Sequence, residues 1–163
     1  MDQLGQLAQK NVQTVIVNTL ASSDYGLVDE TTHLPRPDYW AALLWKQLMG
    51  TRVLDPGIVP NDTLRIYAHC MKDFPGGVTL IALNIDPKSE HAVEVPLAGK
   101  RYTLSASELL SKTVLLNGKP LELTSDGSLP KLEGKPVAPG EFSLSPRTIS
   151  FLAMPDANNP GCR

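Results

Sequence analysis

The sequence predicts a chain of two characters, an α/β remnant followed by an all-β unit: the last strand and helices of a (β/α)8 barrel, then a C-terminal antiparallel β-sandwich. Three observations carry this expectation. Residues 12–20, VQTVIVNTL, form a near-continuous β-branched run of the kind covered on both faces in parallel sheets. Amphipathic helical patterns flank that run, giving the order helix, strand, loop, helix of the final one and a half units of a (β/α) repeat. Beyond Gly50 the hydrophobic period changes to alternation, and turn residues recur every dozen positions or so. The chain therefore divides at about Gly50, with residues 1–50 as the barrel end and 51–163 as the sandwich.

Each element has its own justification. In residues 2–10 Leu4 and Leu7 fall at helical spacing with Ala8 beside Leu7. After the strand comes a polar loop over 21–37, the position on which such barrels place their chemistry. The second helix, over 38–49, starts at Pro37, whose fixed φ suits a first turn. Asp38 and Lys46 complement the helix dipole, and Gly50 is read as the stop. Trp40, Leu43, Leu44 and Leu48 share one face, so the tryptophans are explained by core packing rather than by a cofactor site.

Strands are expected over 52–54, 64–71, 78–85, 91–97, 102–107 and 113–116. The run 78–85 is apolar on both faces and so central. Asn117-Gly118 marks a type I′ hairpin turn into 121–123, and Asp126-Gly127 offers another turn. A connection rich in Pro and Gly covers 128–140, and residues 148–154, TISFLAM, form the last strand. Pro96 and Pro130 suit edges or loops.

Composition bounds the function. With 163 residues, 42% hydrophobic, the chain has enough apolar material for a sizeable core. Its 15 basic and 17 acidic residues contain no run of like charge, which argues against a nucleic-acid groove or an anionic membrane surface. No stretch approaches the roughly 20 apolar residues of a membrane span. The opening MDQLGQLAQK has neither the basic region nor the apolar core of a secretory signal. Two features point to an oxidising compartment. One is the sequon Asn61-Asp62-Thr63, a candidate glycan acceptor; the other is the pair Cys70 and Cys162, which can form a bridge or remain as buried thiols. A bridge between them would close a loop of about 90 residues, for which chain entropy gives roughly 4–5 kcal/mol at most.

Taken together, YGLVDE at 25–30, PDYWAALLWKQLMGT at 37–51, LRIYAHC at 64–70, LLSKTVLLNG at 109–118 and SLP at 128–130 resemble the heparanase-like endo-β-glucuronidases of glycoside hydrolase family 79. The resemblance spans almost the whole chain, in long and irregularly spaced blocks. It implies a (β/α)8 barrel bearing the catalysis and a C-terminal β-sandwich partly completed by chain from before the barrel. On that plan Met1 to Lys10 corresponds to the penultimate barrel helix, Val12 to Leu20 to the eighth strand and Asp38 to Met49 to the eighth helix.

Such enzymes are retaining glycosidases and need two carboxyl groups about 5 Å apart. In the family both glutamates precede the matched region, so no catalytic residue is assigned here, and the chain alone is expected to be inert. Asp29 and Glu30 are no substitute, because neighbours on an extended segment point to opposite sides; they are expected to fix the loop or to begin its descent toward the helix. The resemblance gives Tyr25 a place in the glucuronide pocket. Asp24 and Ser23 stand where relatives often carry Asn and Gly, whose backbone amide assists recognition of the substrate carboxylate. An Asp beside an anionic sugar repels it unless protonated or paired, so Asp24 is expected to turn away or to signal altered specificity.

His33 and His69 lack a partnered carboxylate or cysteine and are read as structural. Cys70 and Cys162 match positions that form a disulfide in animal relatives. Animal heparanases carry a basic cluster after the short strand, where this chain has DPGIVPNDT at 55–63. Plant and microbial relatives acting on other glucuronides are therefore at least as good a guide to substrate as heparan sulfate. The family implies no cofactor or metal and a secreted, cell-wall, lysosomal or vacuolar location. The partners expected are a glucuronide-containing glycan or glycoside and the missing N-terminal barrel segment. The alternative is a non-catalytic carbohydrate-binding or interaction module. Only four Tyr, three Phe and two Trp, with both Trp on the helix, offer little for a sugar platform.

Overall fold

A computed structural model describes residues 1–58 and 61–163. Among the described residues, two helices, α1 (Asp2–Gln9) and α2 (Pro37–Leu48), precede ten strands. These are β1 (Met49–Leu54), β2 (Leu64–Met71), β3 (Val78–Asn84), β4 (His91–Val95), β5 (Gly99–Ser105), β6 (Leu115–Leu116), β7 (Lys119–Pro120), β8 (Lys135–Val137), β9 (Gly140–Leu144) and β10 (Thr148–Met154). The main sheet runs β1-β2-β3-β10-β5-β6-β7, with β8 added on β5, and β4 pairs with β9 in a second sheet; all pairings are antiparallel.

Alternation along β2, β3 and β10 gives the main sheet two apolar faces. Tyr67, Ile81, Phe151 and Tyr102 stand opposite one another across four strands. That row packs with Trp40, Leu44 and Leu48 of α2. On the other face Ile66, Ala82 and Leu152 pack against Val93, Val95 and Leu144 of the small sheet. Arg101 lies over the Phe142 ring, 5.5 Å from its centroid, and ties β5 to β9 by a cation–π contact. The fully buried Asn84 sends its amide to the Leu144 and Ser89 carbonyls at 2.8 and 2.9 Å, which satisfies a polar group between the sheets.

Three expectations need correction. Residues 12–20 form no strand, and Val12, Val15, Ile16, Val17 and Leu20 are exposed, Ile16 by 85%. Their β-branched content specifies a strand only where neighbours exist to pair with it. Secondly, Gly50 is no helix stop: α2 passes straight into β1, Met49 already having the extended values φ −92° and ψ 119°. The Leu48 carbonyl is taken up instead by the Lys72 amide at 3.1 Å and the Thr79 hydroxyl at 3.0 Å, which supply what a terminal turn would. Gly50 serves close approach, since a Cβ there would lie 2.6 Å from the Cys70 carbonyl oxygen. Thirdly, the 128–140 connection holds β8 and leads into β9, both unanticipated, while 121–123 lies outside any strand.

β2 and β10 have the expected bounds, β3 sits between them, and Asn117 and Gly118 take φ 52° and 85°, the left-handed pair a type I′ turn needs. Cys70 and Cys162 are joined in a disulfide with Cα atoms 5.3 Å apart, tying the final 3₁₀ turn, Pro160–Cys162, to β2.

Candidate functional site

The loop between residues 20 and 36 is built by short-range polar contacts. The Val28 amide donates to the Leu20 carbonyl at 2.8 Å, Asp29 to Leu34 at 2.9 Å, and Arg36 to Leu27 at 2.9 Å, while Val28 and Pro35 form an isolated bridge. These bonds fold the segment back on itself and bring it down to the start of α2.

Asp29 is the anchor. Its Oδ1 accepts from the Thr32 amide at 2.9 Å, the Thr32 hydroxyl at 3.0 Å and the Thr31 amide at 3.1 Å; its Oδ2 faces Arg36 at 3.2 Å. The Thr32 and Thr31 donors, with a smaller contribution from Arg36, hold its carboxyl down at about 2. It is thus ionised and committed to the loop, as expected. Glu30 and His33 are exposed, and His33 takes φ 57°.

Ser23, Asp24 and Tyr25 lie on one tight turn. The Ser23 hydroxyl donates to Asp24 Oδ1 at 3.1 Å and accepts from the Tyr25 amide at 3.4 Å. Tyr25 is 59% exposed, and its phenol oxygen accepts from Asn18 Nδ2 at 3.0 Å. That bond leaves the phenolic proton free to donate elsewhere. The residue that sequence reasoning missed is Arg36, which donates to the Asp24 carbonyl as well as to Asp29 and so fixes the turn relative to the anchor. A lone Arg before Pro37 carries no pattern that would have revealed this.

Tyr25 does not line the main clefts of the sandwich region. The apolar one, about 430 Å³, lies between α2 and the sheet and is lined by Ala41, Leu104, Leu109, Val114 and Ile149. Among the described residues no cluster of His, Cys, Asp or Glu is arranged to hold a metal ion, and no helix is long and apolar enough to cross a membrane. His69 is buried, with Nδ1 donating to the Gly50 carbonyl at 2.7 Å and its ring edge-on to Trp45, a packing role. Both tryptophans face inward, Trp40 within the core and Trp45 against it.

No family model matches the chain. Individual relatives do. It is 34% identical to a hyaluronoglucuronidase of Hirudo nipponia over all of this chain and 36% of that protein. It is 34% identical to a baicalin-β-D-glucuronidase of Scutellaria baicalensis, over 95% of this chain and 31% of that one. Mouse heparanase is 35% identical over 99% of this chain and 33% of its own length. Among solved structures, a GH51 arabinofuranosidase from Xanthomonas axonopodis pv. citri superposes with a TM-score of 0.59 at 15% identity, over 93% of this chain and 34% of that one, a likeness of fold alone. The chain spans about a third of the length of these curated relatives. Matched from end to end by heparanases and glucuronidases, it belongs to the heparanase-like family of glycoside hydrolases, family 79.

Proposed function

We propose that this chain is the C-terminal part of a heparanase-like β-glucuronidase that hydrolyses glucuronide bonds with retention, its acid/base and nucleophile glutamates lying on chain upstream of Met1. Residues 1–50 are then the end of the barrel, and 51–163 the sandwich that braces it. One observation carries the reading: the exposed, unpaired run of Val12, Val15, Ile16 and Val17 leads directly into the loop that presents Tyr25. A barrel strand needs a neighbour on each edge, and a strand-forming sequence left without them is a surface awaiting such neighbours.

Tyr25 then forms one wall of the glucuronide subsite, its remaining walls coming from the other barrel loops. With Asn18 donating to its oxygen, the phenol donates its own proton to the substrate carboxylate or to the nucleophile. The Ser23 hydroxyl donates to the Asp24 carboxylate and restrains that charge on the turn beside the subsite. Two carboxyl groups suffice for the chemistry, so no cofactor or metal is required. The substrate is a glucuronide-bearing glycan or glycoside, and the disulfide supports a secreted, cell-wall, lysosomal or vacuolar setting.

Aryl glucuronide hydrolysis tests the proposal. The 163-residue chain alone gives no turnover. The longer protein containing it turns over with retention, and Tyr25→Phe in that protein lowers kcat/KM by roughly ten- to a hundredfold, the loss of one hydrogen bond to a charged group at about 1.5–3 kcal/mol. Turnover by the 163-residue chain on its own overturns the reading.

A further inference from the structure

We infer that Asn61 is an N-glycosylation site, carrying an N-linked oligosaccharide on its side-chain amide nitrogen. Asn61-Asp62-Thr63 is the one Asn-x-Ser/Thr triplet in the sequence. Three properties of its surroundings make it an acceptor rather than a chance pattern.

The first is orientation. Asn61 Oδ1 accepts from the Leu64 amide at 2.7 Å, the Thr63 amide at 2.9 Å and the Thr63 hydroxyl at 3.2 Å. Three donors converging on one atom identify it as the carbonyl oxygen, which turns the amide nitrogen away from the turn. Every one of these contacts uses the oxygen, so a sugar bonded to the nitrogen leaves all three in place. The modification is compatible with the finished fold at no cost in local hydrogen bonding.

The second is space. Asn61 and Asp62 are exposed, and Asn61 stands on the rim of a cleft of about 360 Å³ with Gln6, Gln9 and Arg65. Open volume of mixed lining, with Ile58, Ile66 and Tyr67 beside the polar groups, adjoins the acceptor, where a packed wall would forbid a bulky branch.

The third is compartment. The Cys70–Cys162 bridge is independent of the sequon and is of the kind that forms and persists in an oxidising environment, the class of setting in which oligosaccharide transfer to Asn takes place. Neither the bridge nor the turn depends on the hydrolase reading.

The test uses the 163-residue chain, fused to a secretory signal and expressed through a eukaryotic secretory pathway, with peptide mapping after enzymatic deglycosylation in heavy-oxygen water. The expected result is conversion of Asn61 to heavy-oxygen-labelled aspartate in the wild type and in Thr63→Ser, and loss of the glycan in Thr63→Ala. Asn61→Asp is the closest control, since it keeps the accepting oxygen while lacking the amide nitrogen; it is secreted unglycosylated. An unmodified Asn61 in material whose Cys70–Cys162 bridge has formed overturns the proposal. Unmodified Asn61 with both thiols free overturns it too, by removing the compartment it requires.

Discussion

His69 has one ring nitrogen satisfied by the Gly50 carbonyl, while Nε2 is buried without a partner among the described residues; the side chain is only 4% exposed. Burial pushes its imidazole pKa down, opposed in part by the bond to Gly50. The unfolded chain takes up a proton near pH 6.5 while the folded chain resists it, so stability is fullest above about pH 6.5 and is lost as pH falls toward the depressed value. Replacing the titrating ring by a neutral amide in His69→Gln is expected to flatten the decline of Tm between roughly pH 7 and 5, measured by thermal melts across that range. Tyr67 illustrates the opposite limit: burial and its hydrogen bond to Asp2 raise the phenol to about 12, so its contribution persists until strongly alkaline pH. Neither effect was visible in sequence. His69 read correctly as structural because it lacked partners at any recognisable spacing, but its orphaned nitrogen is a product of burial beneath Trp45.

The segment over 12–20 teaches the most about how far local pattern carries. Its composition demands a strand, yet a strand is a relation between segments, and nothing within these residues supplies the other member. By contrast β2, β3 and β10 carried both pattern and partners, and each was legible from its sequence. β8 and β9 were not, because β8 is three residues around Pro136, and GEFSL offers only Phe142 and Leu144 as apolar positions at the end of a Pro- and Gly-rich stretch. Gly50 was legible as a special position but not as which kind, since closeness to the Cys70 carbonyl is a tertiary fact. The exposed run has a measurable outcome. Ile16→Lys together with Val17→Lys in the 163-residue chain should raise the monomeric fraction in size-exclusion chromatography with little change in Tm, as Ile16 is 85% and Val17 54% exposed. In the longer protein proposed above, the same pair should abolish stability if those residues enter a barrel, which turns one double variant into a test of both states.

Over the whole chain, the α2 helix, the main sheet and the β4–β9 pair form successive layers around two apolar clusters. The arrangement explains why α2 reads as part of the barrel yet packs on the sheet: Trp40, Leu44 and Leu48 point at Phe151 and its row, and no linker separates Leu48 from Met49. The disulfide spans 92 positions of this architecture. Cys70→Ser with Cys162→Ser is expected to cost at most about 4–5 kcal/mol in a denaturant titration, the chain-entropy value for so long a loop. A loss near zero would mean that the unfolded chain is already constrained by other means. The candidate loop was the less legible part, since Tyr25 and Asp29 stood out by position and type while the Arg36 clamp, which joins the Asp24 carbonyl to the Asp29 carboxylate, exists only in the folded chain.

That bridge also makes the stretch between its ends a covalent ring holding β3 through β10. A single protease nick anywhere inside the ring would therefore release nothing: the two pieces would migrate as one species until a reductant parted them, and damage to surface loops would stay silent while the tail kept its hold.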